Sequence, residues 1–175
     1  MNKGMVHVYH GDGKGKTTAS LGLAIRALGN GWRVCIVQFL KGSASGEVAI
    51  LEKLPEVTIL RGKAGTKFSY QMNEKDKAAA KQVHQRHLEQ AMAAAHRGEY
   101  DLLVLDEAVG ACNCGLLDEE TLLEYIESKP TKLEIVLTGR NPGQRILKAA
   151  DYVTEMKMQK HPFEQGAAAR RGVEF

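Results

Sequence analysis

The sequence predicts an α/β fold: a mainly parallel sheet with helices on both faces. Three observations carry that prediction. Short β-branched runs alternate with helical segments along most of the chain. Glycine or proline closes the helical segments before the next strand begins. The run at 102–105 (LLVL) is apolar throughout, as a strand covered on both faces must be.

Residues 5–9 read as the first strand, and 17–28 as a helix stopped by Gly29-Asn30-Gly31. A second strand follows at 33–39, a short helix at 47–54 ended by Pro55, and a third strand at 57–60. Asn73 caps a long helix that runs through an Ala-rich stretch to Arg97 and closes at Gly98. After the fourth strand at 102–105, Asp118 caps a helix through Ser128 that Pro130 terminates. The fifth strand is 133–137, Pro142 suits the first position of the next helix, and 152–156 is a sixth strand. Ligands of such sheets bind beyond the carboxyl ends of the strands, so function is expected in the loops that follow them. No repeat, low-complexity segment or linker interrupts the pattern, and 62–71 is the one long structureless connection.

The 175 residues fit one domain over 1–175, long enough to bury roughly 70% of the surface of the unfolded chain. Hydrophobic residues at 43% and charged ones at 26% exclude a disordered, collagen-like or Cys-rich chain. With 24 Lys and Arg against 21 Asp and Glu the charge is +3 and interspersed, which gives no reason to expect a nucleic-acid partner. Apolar runs stop far short of the roughly 20 residues that span a bilayer, and 1–5 has no apolar signal core, so no membrane association and a cytoplasmic location are expected. Cys35, Cys112 and Cys114 are an odd set without framework spacing, as expected of reduced thiols.

The chemistry concentrates after strands. His10-Gly11-Asp12-Gly13-Lys14-Gly15-Lys16-Thr17-Thr18 joins the first strand to the first helix. Its glycines let backbone N–H groups turn around phosphate oxygens, the helix N-terminus adds its positive end, Lys16 adds a point charge, and the Thr17 hydroxyl suits Mg²⁺. The usual phosphate-loop pattern wants glycine where this chain has His10, so either Gly11 makes the first turn or His10 does, with its side chain near the phosphates. Asp106 and Glu107 end the fourth strand, where one carboxylate can hold a metal opposite Thr17 and the other can orient a water or ligand. Arg140 follows the fifth strand at the expected start of a helix; a cation there opposes the macrodipole, which favours an anion between them over a surface ion pair. Lys41, just past the second strand, is a weaker candidate for the same pocket. His84 and His87 lie three apart among Gln, Lys, Arg and Glu and read as a solvated helix face, while Cys112-Asn113-Cys114 reads as ordinary thiols. Phe68 and Tyr70, at alternate positions of the long loop, either anchor it to the core or form a wall for a large planar ligand.

Six blocks, in order, resemble the P-loop ATP:corrinoid adenosyltransferases: residues 8–18, 37–42, 65–70, 104–107 with 113–116, Thr138-Gly139-Arg140, and 160–163 with 172–175. The resemblance implies a RecA-like nucleotide fold, usually a homodimer, holding ATP with Mg²⁺ or Mn²⁺ in an unusual direction along the loop. It implies a corrinoid as second substrate, adenosylated at Co(I) with release of triphosphate in adenosylcobalamin synthesis or salvage, and a flavin-type reductase as partner. By the same resemblance Lys16 and Glu107 are catalytic, and Phe68 and Tyr70 displace the corrinoid's lower axial ligand. Some members place an N-terminal helical extension over the corrinoid; few residues precede the first strand here, so a looser cover is expected. The loop and the carboxylates alone also fit a small kinase or ATPase acting at the γ-phosphate. A non-catalytic ATP-gated corrinoid carrier is the third reading.

Overall fold

The computed structural model describes residues 3–40, 46–62, 71–162, 166 and 168–173. In chain order the elements are β1 (Val6–His10), α1 (Lys16–Leu28), β2 (Val34–Gln38), α2 (Gly46–Leu51), β3 (Val57–Arg61), α3 (Glu74–His96) and β4 (Leu102–Asp106). They continue as α4 (Ala108–Asn113), α5 (Glu119–Glu127), β5 (Glu134–Gly139), α6 (Gln144–Ala149) and β6 (Tyr152–Glu155). All six strands form one parallel sheet in the order β3-β2-β4-β5-β1-β6.

The burial of each strand follows from its place in that order. β2 and β4 are interior and buried at every position, which is why their residues read as continuous apolar runs. β6 is an edge strand, exposed throughout. Successive residues of a strand face opposite ways, so each strand feeds two cores. On one face Leu21, Ala24 and Ala27 of α1, with Leu51 of α2, pack on Val34, Ile36, Leu102, Val104 and Val136. On the other, α3, α4, α5 and α6 cover Val37, Leu103, Leu105, Ile135 and Leu137.

Two sequence expectations are corrected here, and one helix is added to them. α4 was not foreseen: its six residues are too few to show a helical period. Pro142 does not open a helix; α6 starts at Gln144 with Gly143 extended as its N-cap, because Asn141 at φ 52° keeps the chain turning. His84 does not lie on a solvated face. It is 7% exposed and meets Phe39 edge-on at a centroid distance of 5.4 Å, since Leu88, Ala91, Met92 and Ala95 continue its stripe of α3 into the core. The cap of α3 is as expected and is a reciprocal box: Asp76 N–H donates to Asn73 Oδ1 (2.8 Å) and Asn73 N–H to Asp76 Oδ2 (3.3 Å).

Candidate active site

β1 delivers the glycine-rich loop to the carboxyl edge of the sheet. His10 is the last strand residue, beside Gly139 of β5 and Glu155 of β6, and Gly11 makes the first turn at φ 109°. A side chain is excluded there twice over, because a Cβ at 11 would lie 2.4 Å from the Met156 carbonyl oxygen. The exit of β6 is laced to the loop by three hydrogen bonds. Met156 N–H donates to His10 O (2.7 Å), Gly13 N–H to Met156 O (2.7 Å), and Met158 N–H to Asp12 Oδ1 (2.9 Å). The last of these is the main cause holding the Asp12 carboxyl below its ordinary pKa.

Lys16 opens α1 and turns back into the loop, donating to the carbonyls of Gly11 and Gly13 at 2.8 Å each. It is 8% exposed. Burial, and then the positive charge of Arg140, hold its ammonium below the ordinary value against the pull of Glu107, Asp12 and Asp106.

The strands carrying the loop and the carboxylates are not neighbours; β5 stands between β1 and β4. Thr138 of β5 bridges the gap. Its hydroxyl donates to Asp106 Oδ1 (2.8 Å) and accepts from the Glu107 N–H (2.8 Å), and Thr17 Oγ1 donates to the same Asp106 oxygen (2.8 Å). Asp106 is fully buried beneath these hydroxyls, whereas Glu107, at φ 61°, caps α4 and reaches the cleft.

Arg140 is reached differently from the expectation. α6 begins four residues later, so the opposed-dipole reason for an anion at Arg140 does not apply. What fixes Arg140 is α4. Asn113 Nδ2 donates to the carbonyls of Arg140 (2.8 Å) and Asn141 (3.2 Å). Gly139, at φ 148°, lets the chain pass so close to α4 that a Cβ would sit 2.7 Å from that of Val109. Arg140 still lines the cleft and acts electrostatically on both Lys16 and Asp12.

The resulting cleft, of about 870 Å³, brings together Asp12, Lys14, Lys16, Thr17, Thr18, Glu107 and Arg140. The distal chain closes part of it: His161, Gly172 and Val173 line the wall, and Lys14 Nζ donates to Val173 O (3.2 Å). A second cleft of about 560 Å³ lies on the far side of Asp12, where His10, Gly11, Asn141 and Lys157 meet. Lys41, Phe68 and Tyr70 lie outside the described residues. Sequence reasoning assigned no role to Thr138 or Asn113, although both stood in blocks it had singled out.

A divalent cation fits this donor set. A threonine hydroxyl and a buried carboxylate sharing one hydrogen bond suit a hard cation that takes its other ligands from phosphates and water. Among the described residues no three His, Cys, Asp or Glu side chains form a metal cage, and such a cation needs none. No helix among them is long and apolar enough to cross a membrane. Burial, then Glu119 and Asp118, push the Cys112 thiol up to about 12.

Residues 2–175 match the family described as ATP:corrinoid adenosyltransferase BtuR/CobO/CobP. A corrinoid adenosyltransferase of Pseudomonas aeruginosa is 37% identical over 175 residues, covering 99% of this chain and 84% of that protein. One of Escherichia coli K12 is 34% identical, covering 99% of this chain and 86% of that protein. The corrinoid adenosyltransferase CobA of Salmonella typhimurium is 35% identical over the same shares, 99% and 86%. A match of that extent, on a parallel α/β sheet whose glycine-rich loop and Glu107 meet in one cleft above the buried Asp106, places the chain in the ATP:corrinoid adenosyltransferase family.

Proposed function

We propose that this chain transfers the 5′-deoxyadenosyl group of ATP to the Co(I) centre of a reduced corrinoid and releases inorganic triphosphate. The observation that carries the reading is the convergence of Lys16, Thr17, Glu107 and Arg140 on one cleft in a chain of this family. The cobalt lone pair forms the bond to the ribose 5′ carbon as the carbon–oxygen bond breaks, and the bonding pair leaves on the triphosphate. Negative charge therefore grows on the leaving group, and the residues present answer that charge. Lys16 exchanges the carbonyls of Gly11 and Gly13 for phosphate oxygens, and Arg140 adds a second cation from the opposite wall. The N-terminus of the 13-residue α1 points its positive end at the loop.

Thr17 and Asp106 are the residues we assign to Mg²⁺ or Mn²⁺, leaving Glu107 to orient nucleotide or water at the cleft. Such a cation, when bound, neutralises charge on the departing triphosphate. His10, Asp12, Lys14, Thr18 and Lys41 complete the nucleotide site in this reading. Phe68 and Tyr70, by resemblance, displace the lower axial ligand of cob(II)alamin and so ease its reduction. We also propose a homodimer, a flavin-type reductase as partner, and a cytoplasmic setting in which Cys35, Cys112 and Cys114 stay reduced.

Anion-exchange analysis after incubation with MgATP and chemically reduced cobalamin tests the reaction. Triphosphate and a light-sensitive alkylcobalamin are expected in equal amounts, with ATP consumed only when corrinoid is present. ADP formed without corrinoid would overturn the assignment.

A further inference from the structure

A polar row crosses the carboxyl margin of the sheet on the face that α1 covers. The register pairs Arg61 with Gln38 and Gln38 with Asp106; Asp106 is bonded to Thr138, and Thr138 pairs with Tyr9. Partnered residues of parallel strands project from the same face. Below the row, that face is apolar: Val34, Ile36, Leu102, Val104 and Val136 lie under α1. Gln38 is the member of the row next to Asp106 on the side away from Thr138. It is 0% exposed, and neither its Nε2 nor its Oε1 has a hydrogen-bond partner among the described residues.

A primary amide carries two N–H donors and a carbonyl acceptor, and burying them unpaired forfeits their hydration without return. Leucine or methionine would fill this position, at the top of an apolar strand, with no such penalty. The amide is therefore explained by a ligand rather than by the fold, and its neighbour Asp106 indicates which. Mg²⁺ and Mn²⁺ retain several water ligands, whose protons need acceptors beyond the first coordination sphere. A carboxamide supplies an acceptor beside Asp106 without adding a second negative charge.

We propose that Gln38 is a positioning residue for the divalent cation that accompanies the triphosphate: its carboxamide oxygen accepts a hydrogen bond from a water ligand of the cation and so holds the cation against Asp106 and Thr17. This rests on the assignment of Asp106 and Thr17 to the cation made above. Partners of this kind are typically worth 10- to 100-fold in metal affinity.

The test compares wild-type protein with Gln38→Leu, Gln38→Met and Asp106→Asn. Mn²⁺ affinity in the presence of ATP is read from the free-ion electron paramagnetic resonance signal, ATP affinity in excess chelator by calorimetry, and melting temperature by calorimetric scan without ligand. The expectation for Gln38→Leu is Mn²⁺ binding weaker by about ten-fold, unchanged ATP affinity in chelator, and a ligand-free melting temperature equal to or above wild type. Gln38→Met, closer in length and flexibility, should behave alike, and it decides the matter should the leucine variant not fold. Unchanged Mn²⁺ affinity in the Gln38 variants with a loss in Asp106→Asn would overturn this inference and leave the cation assignment standing. Unchanged affinity in Asp106→Asn as well would overturn that assignment itself. A lowered ligand-free melting temperature with intact Mn²⁺ binding, or an equal loss of ATP affinity in chelator, would make the amide a packing or nucleotide group and sink the proposal.

Discussion

Burial of His84 against Phe39, followed by the charge of His87, pushes its imidazole from an ordinary 6.5 down to about 4. The folded state thus takes up the proton later than the unfolded chain does as pH falls. The stability this contributes is complete above about 6.5 and is lost progressively as pH falls through about 4. His87 is shifted the same way, by burial and then by Arg86, so part of the slope belongs to it. We expect His84→Leu to flatten the acid limb of urea midpoint against pH between those values, with stability at pH 8 within about 1 kcal/mol of wild type. Midpoints that fall as steeply in the variant would show that His84 does not titrate in the folded core. The misreading of His84 as solvated has a plain cause. Its sequence neighbours are charged, but its stripe mates Leu88, Ala91, Met92 and Ala95 lie farther along α3, and they decide which way it faces.

At the scale of the element, α4 governs the second cation of the cleft. Its last residue, Asn113, ties down the carbonyls of Arg140 and Asn141, while Val109 and Gly110 leave Gly139 no room for a side chain. Asn113→Ala is expected to lower stability by about 1 kcal/mol through the lost hydrogen bonds. Release of the loop should also raise the KM for ATP several-fold, with a smaller change in kcat, since Arg140 remains present but is no longer held. An unaltered KM would mean that the packing of Gly139 positions Arg140 unaided. The six strands and the capped ends of α3 and α5 are readable because short β-branched or apolar runs, Asn73, Asp118, Gly98 and Pro130 are local signals. α4 offers nothing local: Ala-Val-Gly-Ala-Cys-Asn has less than two turns, and Glu107 begins it with a positive φ that no residue preference announces.

Across the whole molecule the same division holds for the site. That Lys16, Thr17, Asp106 and Glu107 come together is legible, because they follow β1 and end β4 at one edge of a parallel sheet. The row Gln38–Asp106–Thr138 was not, because it joins residues on three strands whose order is visible only once the sheet is assembled. The attachment of the loop to the exit of β6 was hidden for the same reason, and it changes what the glycines are for. Gly11 and Gly13 were read as opening backbone N–H groups to phosphate. In the fold, a Cβ at 13 would lie 2.7 Å from Met156 O and 2.9 Å from the Lys157 carbonyl carbon, contacts with backbone that no rotamer change relieves. The exit of the edge strand thus presses on the glycine-rich loop, and Gly13 is where a side chain would part them. Gly13→Ala should force 156–158 away and break the Gly13–Met156 and Asp12–Met158 hydrogen bonds. The clash falls at an edge of the sheet, outside both apolar cores, so its cost is on the order of 1–3 kcal/mol and the protein stays folded. Nucleotide affinity should suffer far more, by ten-fold or greater, because the loop we propose to cradle the triphosphate loses its outer support. Calorimetric titration with ATP beside a thermal scan separates the two effects. A variant that melts early yet binds ATP as tightly as wild type would show that the exit of β6 braces the fold alone and leaves the phosphate loop to shape itself.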